Sequence, residues 1–209
     1  MKHYLSVTAL LLLQAAALCA QETGSTNSFK TPGTFSLGTR NTFSLFSDDH
    51  DIGKGIGGQL RLQFSDHLGS EWFLDYISSK NGSLTYRNDY HIGWSLMYYP
   101  GKRVQFNRLL QPYILAGHCF DYSKVAEQSN SSNYADRWSM AAQAGLGTHI
   151  NITTKFDCSL SAQYMLHFGK DIQTVQENPK LIIEKENFST PDGHLLVSVS
   201  FNYKLAHLW

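Results

Sequence analysis

The chain has 209 residues, of which 42% are hydrophobic, and its 17 basic and 17 acidic residues cancel. A neutral chain lacks the basic excess of a nucleic-acid-binding domain, so we expect no nucleic-acid partner. The mean hydropathy is −0.27, and no apolar run beyond the N-terminal segment reaches the roughly 18 residues of a membrane-spanning helix. These two observations exclude a helical membrane protein. They do not exclude a membrane β-barrel, because the alternating strands of a barrel lower the mean hydropathy.

The N-terminal segment has the layout of a secretory signal peptide. Residues 1–20 combine a basic start, an apolar run and small residues, and the apolar run is too short for a membrane-spanning helix. The alternative is a lipoprotein signal with Cys19 as the lipidated residue, although bulky Leu18 precedes it where such sites have a small residue. We predict cleavage of this peptide. Residues 21–33 are polar and predicted to be a linker, and 34–209 are predicted to form one domain.

Eight segments with an apolar–polar period of two follow the linker. They lie at about 34–46, 55–64, 70–78, 90–99, 109–122, 137–151, 155–168 and 194–205. Such alternation is typical of β-strands with two different environments. The last segment is the clearest, since Leu195 and Val197 alternate with His194 and Ser198. In the fifth segment, the least clear, we assign the apolar face to Pro112, Ile114, Ala116, His118, Phe120 and Tyr122.

The connections between these segments alternate in length. Short turns such as SDHLG and NITT join segments two to three and six to seven, whereas long polar stretches such as SKVAEQSNSSNYAD join others. Outer-membrane barrels have short turns at the periplasmic end and longer loops outside the cell. The sequence therefore predicts an all-β fold, an eight-stranded antiparallel up-and-down transmembrane β-barrel with both termini at the short-turn end.

A soluble lipocalin-like barrel would show the same alternation, and residue size separates the two. The interior of an eight-stranded barrel is only wide enough for its own side chains, so small residues belong inside. The polar face carries Gly57, Gly145 and Ser200, whereas the apolar face carries Trp72 and Trp138. Aromatic residues also gather near the segment ends, as in the girdles of membrane barrels. We therefore predict that the apolar face contacts lipid.

Three stretches carry a family resemblance. They are QPYILAGHCFDY at 111–122, AGLGTHINITTKFDCSLSAQY at 144–164 and the alternating last segment. In these stretches the chain resembles the OmpA-like and OmpX-like eight-stranded outer-membrane barrels of Gram-negative bacteria. The resemblance covers residues 34–209 and implies an outer-membrane location, but it transfers architecture rather than activity. The chain stops after the eighth segment, so the peptidoglycan-binding domain of full-length OmpA-type proteins is not expected.

Charged residues on the polar face are the first candidate site. Arg40, Arg61, Glu71, Asp75 and Lys204 face the predicted lumen, and closure of the barrel brings segments one and eight together. A charge removed from water needs a partner, so we predict an interior charge network made of these five residues. Structural filling of the lumen is the favoured role, and a gated ion path is the alternative.

Two further groups are candidates for chemistry. The stretch SDDHD at 47–51 offers oxygen ligands for a divalent cation that bridges lipopolysaccharide phosphates, although a solvated loop is the simpler interpretation. A lipid A-modifying enzyme would need a histidine, a serine and an acid together at the bilayer rim, and His118, His167 and His194 are the candidate histidines. The outward face shows no such grouping, so we assign no catalytic residue and expect no cofactor or metal.

The last connection, at about 169–192, is the candidate interaction segment. It contains PKLIIEKENF, which predicts extended chain above the membrane, either as a self-packed hairpin or with an open edge that binds a partner strand. We predict a monomeric outer-membrane protein with a structural or adhesion-type role. Its expected partners are outer-membrane lipid, lipopolysaccharide and an extracellular ligand. The alternatives are a lipid A-modifying enzyme and a narrow channel or small-ligand binder.

Overall fold

The computed structural model describes residues 31–46, 52–81, 84–100, 108–177, 180–189 and 192–209. Within these ranges the strands are β1 (Thr34–Phe46), β2 (Ile52–Gln63), β3 (Leu68–Asn81), β4 (Thr85–Tyr98), β5 (Leu110–Glu127), β6 (Tyr134–Asn151), β7 (Phe156–Phe168), β8 (Lys170–Glu177), β9 (Lys180–Ser189) and β10 (Asp192–His207). No helix in this described part of the chain is long and apolar enough to cross a membrane.

Eight of these strands close into one antiparallel barrel. The spatial order is β1-β10-β7-β6-β5-β4-β3-β2, so the first strand pairs with the last and the other neighbours follow the chain. The predicted eight-stranded barrel is confirmed. The other two strands, β8 and β9, form a separate hairpin between β7 and β10. The last connection thus forms the self-packed hairpin, which adds two strands outside the eight-stranded barrel.

The barrel is strongly staggered. Cross-strand partners lead round it from Ser36 on β1, through Glu71 and Gln143, to His194 on β10, which pairs with Phe46 on β1. The circuit therefore returns to β1 ten residues from its start and nearer the loop end. With strands about 4.8 Å apart and a rise of about 3.3 Å per residue, this stagger gives a strand tilt of about 40°.

The two faces of the barrel have the predicted orientation. The outward side chains Trp72, Trp138 and Leu146 are each more than half exposed, while the inward face is lined by glycine, serine and charged residues. The fifth strand follows the assigned phase, because Ile114 is exposed and Asp121 is buried. An apolar exterior around a polar lumen is the reverse of a soluble ligand-binding barrel, and it excludes the lipocalin-like alternative.

An apolar layer interrupts the polar lumen. Six buried side chains from five strands make one cluster, consisting of Phe73, Ile77, Cys119, Ala141, Met165 and Leu196. A second cluster lies on β4 and β5 and their flanks, consisting of Met97, Tyr99, Tyr113 and Leu115. Large apolar groups inside a lumen this narrow exclude water from the space that they fill. The lumen is therefore packed, with polar groups above and below apolar ones.

The barrel wall is taller on the side of β5 and β6. Each of these strands has 18 residues, whereas β2 has 12 and β10, the next longest, has 16. The excess lies at the loop end, where β5 continues past its predicted end and β6 begins earlier than predicted. The β8–β9 hairpin packs on this extension, since Leu181 and Ile183 form a buried cluster with Val125.

Candidate functional site

The lower part of the lumen, near the chain termini, is organised around Asp157. Both carboxylate oxygens of Asp157 lie 2.7 Å from Nη2 of Arg61, and Nζ of Lys204 lies 3.1 Å from Oδ2. The amide of Asn202 donates a further hydrogen bond of 3.2 Å to Oδ1. Nη1 of Arg61 also lies 2.7 Å from Nδ1 of His149. One buried carboxylate therefore balances two buried cations.

A second ion-pair group lies above the first and is centred on Arg40. The guanidinium of Arg40 contacts Glu71 at 2.7 Å and Asp75 at 2.9 Å. It also lies 4.3 Å from the ring centroid of Phe73, a distance at which a cation is attracted by an aromatic face. The hydroxyl of Thr42 donates to Asp75 at 3.2 Å. Here two carboxylates share one cation, the reverse of the arrangement around Asp157.

The structure places the five predicted network residues on the inward face, in two neighbouring groups. Arg40, Glu71 and Asp75 are together, while Arg61 and Lys204 meet at Asp157. Arg61 on β2 is the cross-strand partner of Glu71 on β3, so the two groups lie side by side. The predicted network omitted Asp157, although this residue lies on the polar face of its strand. The signal that could have found it is that two buried cations, Arg61 and Lys204, need a carboxylate nearby.

The upper part of the lumen holds a cluster of imidazole rings around one carboxylate. Asp121 lies 2.9 Å from Nε2 of His91 and 3.0 Å from Nδ1 of His167. The ring of His194 stacks on that of His167 with centroids 4.8 Å apart. Ser139 donates to the same carboxylate at 3.1 Å. Among the described residues, no group of three or more His, Cys, Asp or Glu side chains is arranged to hold a metal ion.

The candidate rim histidines do not share one environment. His167 and His194 are each 1% exposed and lie inside the lumen, whereas a lipid A-modifying enzyme would need them at the bilayer rim. The strand period gives them the same facing as Ser159 and Ser198. His118 faces outward as assigned, with cross-strand partner Trp94 and a ring contact of 4.8 Å to Phe120. Its described neighbours are therefore apolar rather than a serine and an acid.

The hairpin is held to the barrel extension by polar contacts as well as by its apolar cluster. The amide of Asn133, in the β5–β6 turn, donates to the carbonyl oxygen of Leu181 and to Oε2 of Glu127, both at 2.8 Å. Arg137 donates to the carbonyl oxygen of Lys170 at 3.2 Å. Hydrogen bonds from the Ser129 hydroxyl and from Asn133 lower the pKa of Glu127 below its ordinary value. Asn133 thus links both hairpins.

The proposed cation-binding stretch at 47–51 lies outside the described residues. A cavity is present at the terminus end of the lumen, where the lining includes Thr34, Arg61, His149, Asp157 and Lys204. All of these except Thr34 belong to the lower ion-pair group. The cavity therefore borders that group.

Comparison with known proteins identifies the family. The family model described as "Outer membrane protein beta-barrel domain" matches residues 6–203, nearly the whole chain. The chain belongs to this outer-membrane β-barrel family. No functionally curated protein has a significant match to it. Membership establishes an outer-membrane location and leaves the specific role open, because members of this family have different roles.

Solved structures agree with this assignment at the level of the fold. Neisserial surface protein A is 15% identical, with a TM-score of 0.53, 82% of this chain covered and 96% of that one. OprG from Pseudomonas aeruginosa is 18% identical, with a TM-score of 0.51 and coverage of 84% and 97%. A major outer membrane protein of Thermus thermophilus is 9% identical, with a TM-score of 0.54 and coverage of 82% and 98%. At these identities the likeness concerns the fold alone.

Proposed function

We propose that this outer-membrane barrel is a surface-interaction protein of the adhesion type. In this proposal the barrel is a sealed anchor, and the β5–β6 extension with the β8–β9 hairpin is the binding element outside the cell. The observation that carries the proposal is the buried cluster of Val125, Leu181 and Ile183. A hairpin that is fixed on the barrel extension by a shared buried cluster is a preformed binding element, and preformed elements lose less entropy on binding than loops do.

The packed lumen supports an anchoring role over a conducting one. A channel needs a continuous water path, whereas Arg40 is held between two carboxylates and the layer around Phe73 and Met165 is buried. Opening a path would require two buried ion pairs to break together, which is costly. The environment of His118 gives no corresponding support to lipid A chemistry, which needs a base and an acid beside the scissile bond.

The test compares cells that carry the intact protein with cells that carry a variant whose hairpin is detached. Leu181→Ser with Ile183→Ser removes the apolar contacts to Val125, while Val175→Ser changes a side chain that is 49% exposed on the same hairpin. We expect adhesion to surfaces coated with extracellular proteins and polysaccharides to fall to background in the double variant. The Val175→Ser control should adhere like the wild type, and all three should keep the same surface level.

Two results would count against the proposal. The first is wild-type adhesion no greater than that of cells without the protein on every surface. The second is regular conductance steps when the refolded protein is inserted into a planar bilayer, because a sealed lumen should conduct no ions. The second result would favour the narrow channel instead.

A further inference from the structure

Three histidine rings fill the upper lumen around a single carboxylate. His91, His167 and His194 are each 1% exposed, and their ring centroids are 4.8, 5.9 and 6.1 Å apart. The carboxylate of Asp121 lies 2.9 Å from a ring nitrogen of His91 and 3.0 Å from one of His167. One buried negative charge is therefore shared by three groups that can each take up a proton.

The carboxylate of Asp121 can balance one imidazolium but not two. Besides contacting the two rings, it accepts hydrogen bonds of 3.1 and 3.4 Å from the hydroxyls of Ser139 and Ser123. Nδ1 of His91 and Nε2 of His167 are buried and make no hydrogen bond with the described part of the chain. A second proton on the cluster would therefore create a buried charge with no acceptor beside it, which is costly.

The other carboxylates near the rings are already paired. Asp75 lies opposite His91 in the register but contacts Arg40 at 2.9 Å, and Asp89 contacts Arg87 at 3.0 Å. Neither carboxylate is available to neutralise a second imidazolium. The charged side chains that face the upper lumen from the strands around the rings are Arg40 on β1, Asp75 on β3, Arg87 and Asp89 on β4, Asp121 on β5 and Arg137 on β6.

Two of the rings lie at the root of the β8–β9 hairpin. His167 is the residue before the last of β7, and His194 is the third residue of β10. The hairpin leaves the barrel between these two strand ends, and His167 with Asp192 is the cross-strand pair nearest the loop end. Strand ends open more easily than strand centres. Repulsion between charged rings would therefore be relieved first at the root of the hairpin.

We propose that the cluster of His91, His167 and His194 is a pH-sensitive switch, which holds the hairpin on the barrel extension at neutral pH and releases it in mild acid. An imidazolium that reaches water needs no protein partner, so acid favours the form in which the strand ends are open. Opening moves the root of the hairpin, and Leu181 then loses its contact with Val125. This release occurs whether or not the hairpin binds an extracellular partner, and it can be measured without any ligand.

The pH range distinguishes the histidines from the acidic group at the hairpin contact. One proton taken up only by the open form, on a ring that titrates near pH 6.5 in water, favours that form about thirty-fold between pH 7.5 and pH 5.0. Glu127 is linked to the hairpin through Asn133. Hydrogen bonds lower the pKa of Glu127 below its ordinary value, which is about 4.3, so this carboxylate stays charged throughout the range.

The test is hydrogen–deuterium exchange of the refolded full chain in zwitterionic detergent, measured by mass spectrometry at two pH values and corrected for the intrinsic exchange rates. Between pH 7.5 and pH 5.0 the protection of amides at the ends of β7 and β10 should fall about thirty-fold, while the protection of β2 and β3 should not change. Nuclear Overhauser contacts between the methyl groups of Val125 and Leu181 should disappear over the same range.

Two variants change the pH dependence in opposite directions. His167→Gln with His194→Gln leaves one ring for one carboxylate, so its protection should differ little between the two pH values. Asp121→Asn removes the balancing carboxylate, so its protection should fall more steeply than that of the wild type. The matched control His207→Gln changes an exposed histidine on β10 and should behave like the wild type.

Equal protection of the wild type at the two pH values would overturn the proposal, as would a fall that persists in the histidine double variant. Open strand ends with an intact contact between Val125 and Leu181 would also overturn it, because the hairpin would then stay in place. Unboiled samples of each variant should migrate as folded barrels on a gel. Where the double variant does not fold, a steeper fall in Asp121→Asn supports the switch and an unchanged one overturns it.

Discussion

Removing the Asp157 charge should destabilise the barrel more than removing the Glu71 charge. Asp157→Asn leaves Arg61 and Lys204 without their shared carboxylate. All three side chains are buried, with exposed fractions of 8% for Arg61, 7% for Lys204 and 1% for Asp157. Breaking a buried pair by removing one partner costs about 3–5 kcal/mol, because the remaining charge stays buried. We expect a loss in this range for Asp157→Asn.

Glu71→Gln is the matched comparison, since it removes one of two carboxylates from a single cation. Arg40 keeps Asp75 at 2.9 Å, and the glutamine can still accept a hydrogen bond, so the expected loss is about 1.5–3 kcal/mol, the value of one charge-assisted hydrogen bond. The double variant Arg61→Gln, Asp157→Asn removes one of the two stranded cations and should be more stable than Asp157→Asn alone.

The assay is equilibrium unfolding in urea of protein refolded into phosphatidylcholine vesicles, followed by tryptophan fluorescence. Glu184→Gln, which removes an exposed carboxylate on the hairpin, controls for loss of charge as such and should change the free energy of unfolding little. A Glu71→Gln loss equal to or larger than that of Asp157→Asn would refute the reasoning, because it would mean that the ratio of cations to carboxylates does not set the cost.

Three further outcomes are expected. Gly117→Ala should destabilise the barrel by about 1–3 kcal/mol, because the added Cβ would overlap backbone atoms of β4. Gly58→Ala should be tolerated, because its Cβ would meet nothing nearer than 3.8 Å. Equal urea midpoints for the two variants would contradict this. Leu181→Ser should make the hairpin sensitive to limited proteolysis without unfolding the barrel, while the exposed Val175→Ser should leave it resistant. The pKa of the Glu127 carboxyl group should lie below the ordinary value of about 4.3, because hydrogen bonds favour its charged form. The stabilising contacts of this carboxylate are therefore present above the ordinary value and are lost as the pH falls through the lowered pKa. Carboxyl chemical shifts measured by NMR would check this.

Much of the barrel could be predicted because the membrane imposes one rule on every strand. Lipid on one side and a narrow lumen on the other require strict alternation, so the facing of Leu195 or Arg61 follows from sequence parity. Above the membrane that rule no longer holds. The ends of β5 and β6 carry residues such as Lys124 and Asp136 on the outer face, and these polar stretches therefore resemble loops in the sequence.

The pairing of charges was harder to predict than their facing. Parity places Arg40, Arg61 and Asp157 inside, but which acid meets which cation depends on stagger and on side-chain reach across the lumen. Arg61 on β2 finds Asp157 on β7, a contact between strands that are not adjacent in the barrel. The packing of the hairpin was hard to predict for the same reason. The contacts of Leu181 and Ile183 with Val125 depend on tertiary geometry, which the apolar–polar period of the sequence does not encode.

The apolar layer in the lumen gives the protein an internal chemical reporter. The two cysteines in the described part of the chain have free thiols. Cys119 belongs to the apolar layer and is 0% exposed, while Cys158 lies on the outward face of β7. A water-soluble maleimide can reach the inner thiol only by entering the barrel, and a lipid-soluble one meets the outer thiol first. The ratio of the two labelling rates therefore measures how often the barrel opens, with the native sequence and without any added probe.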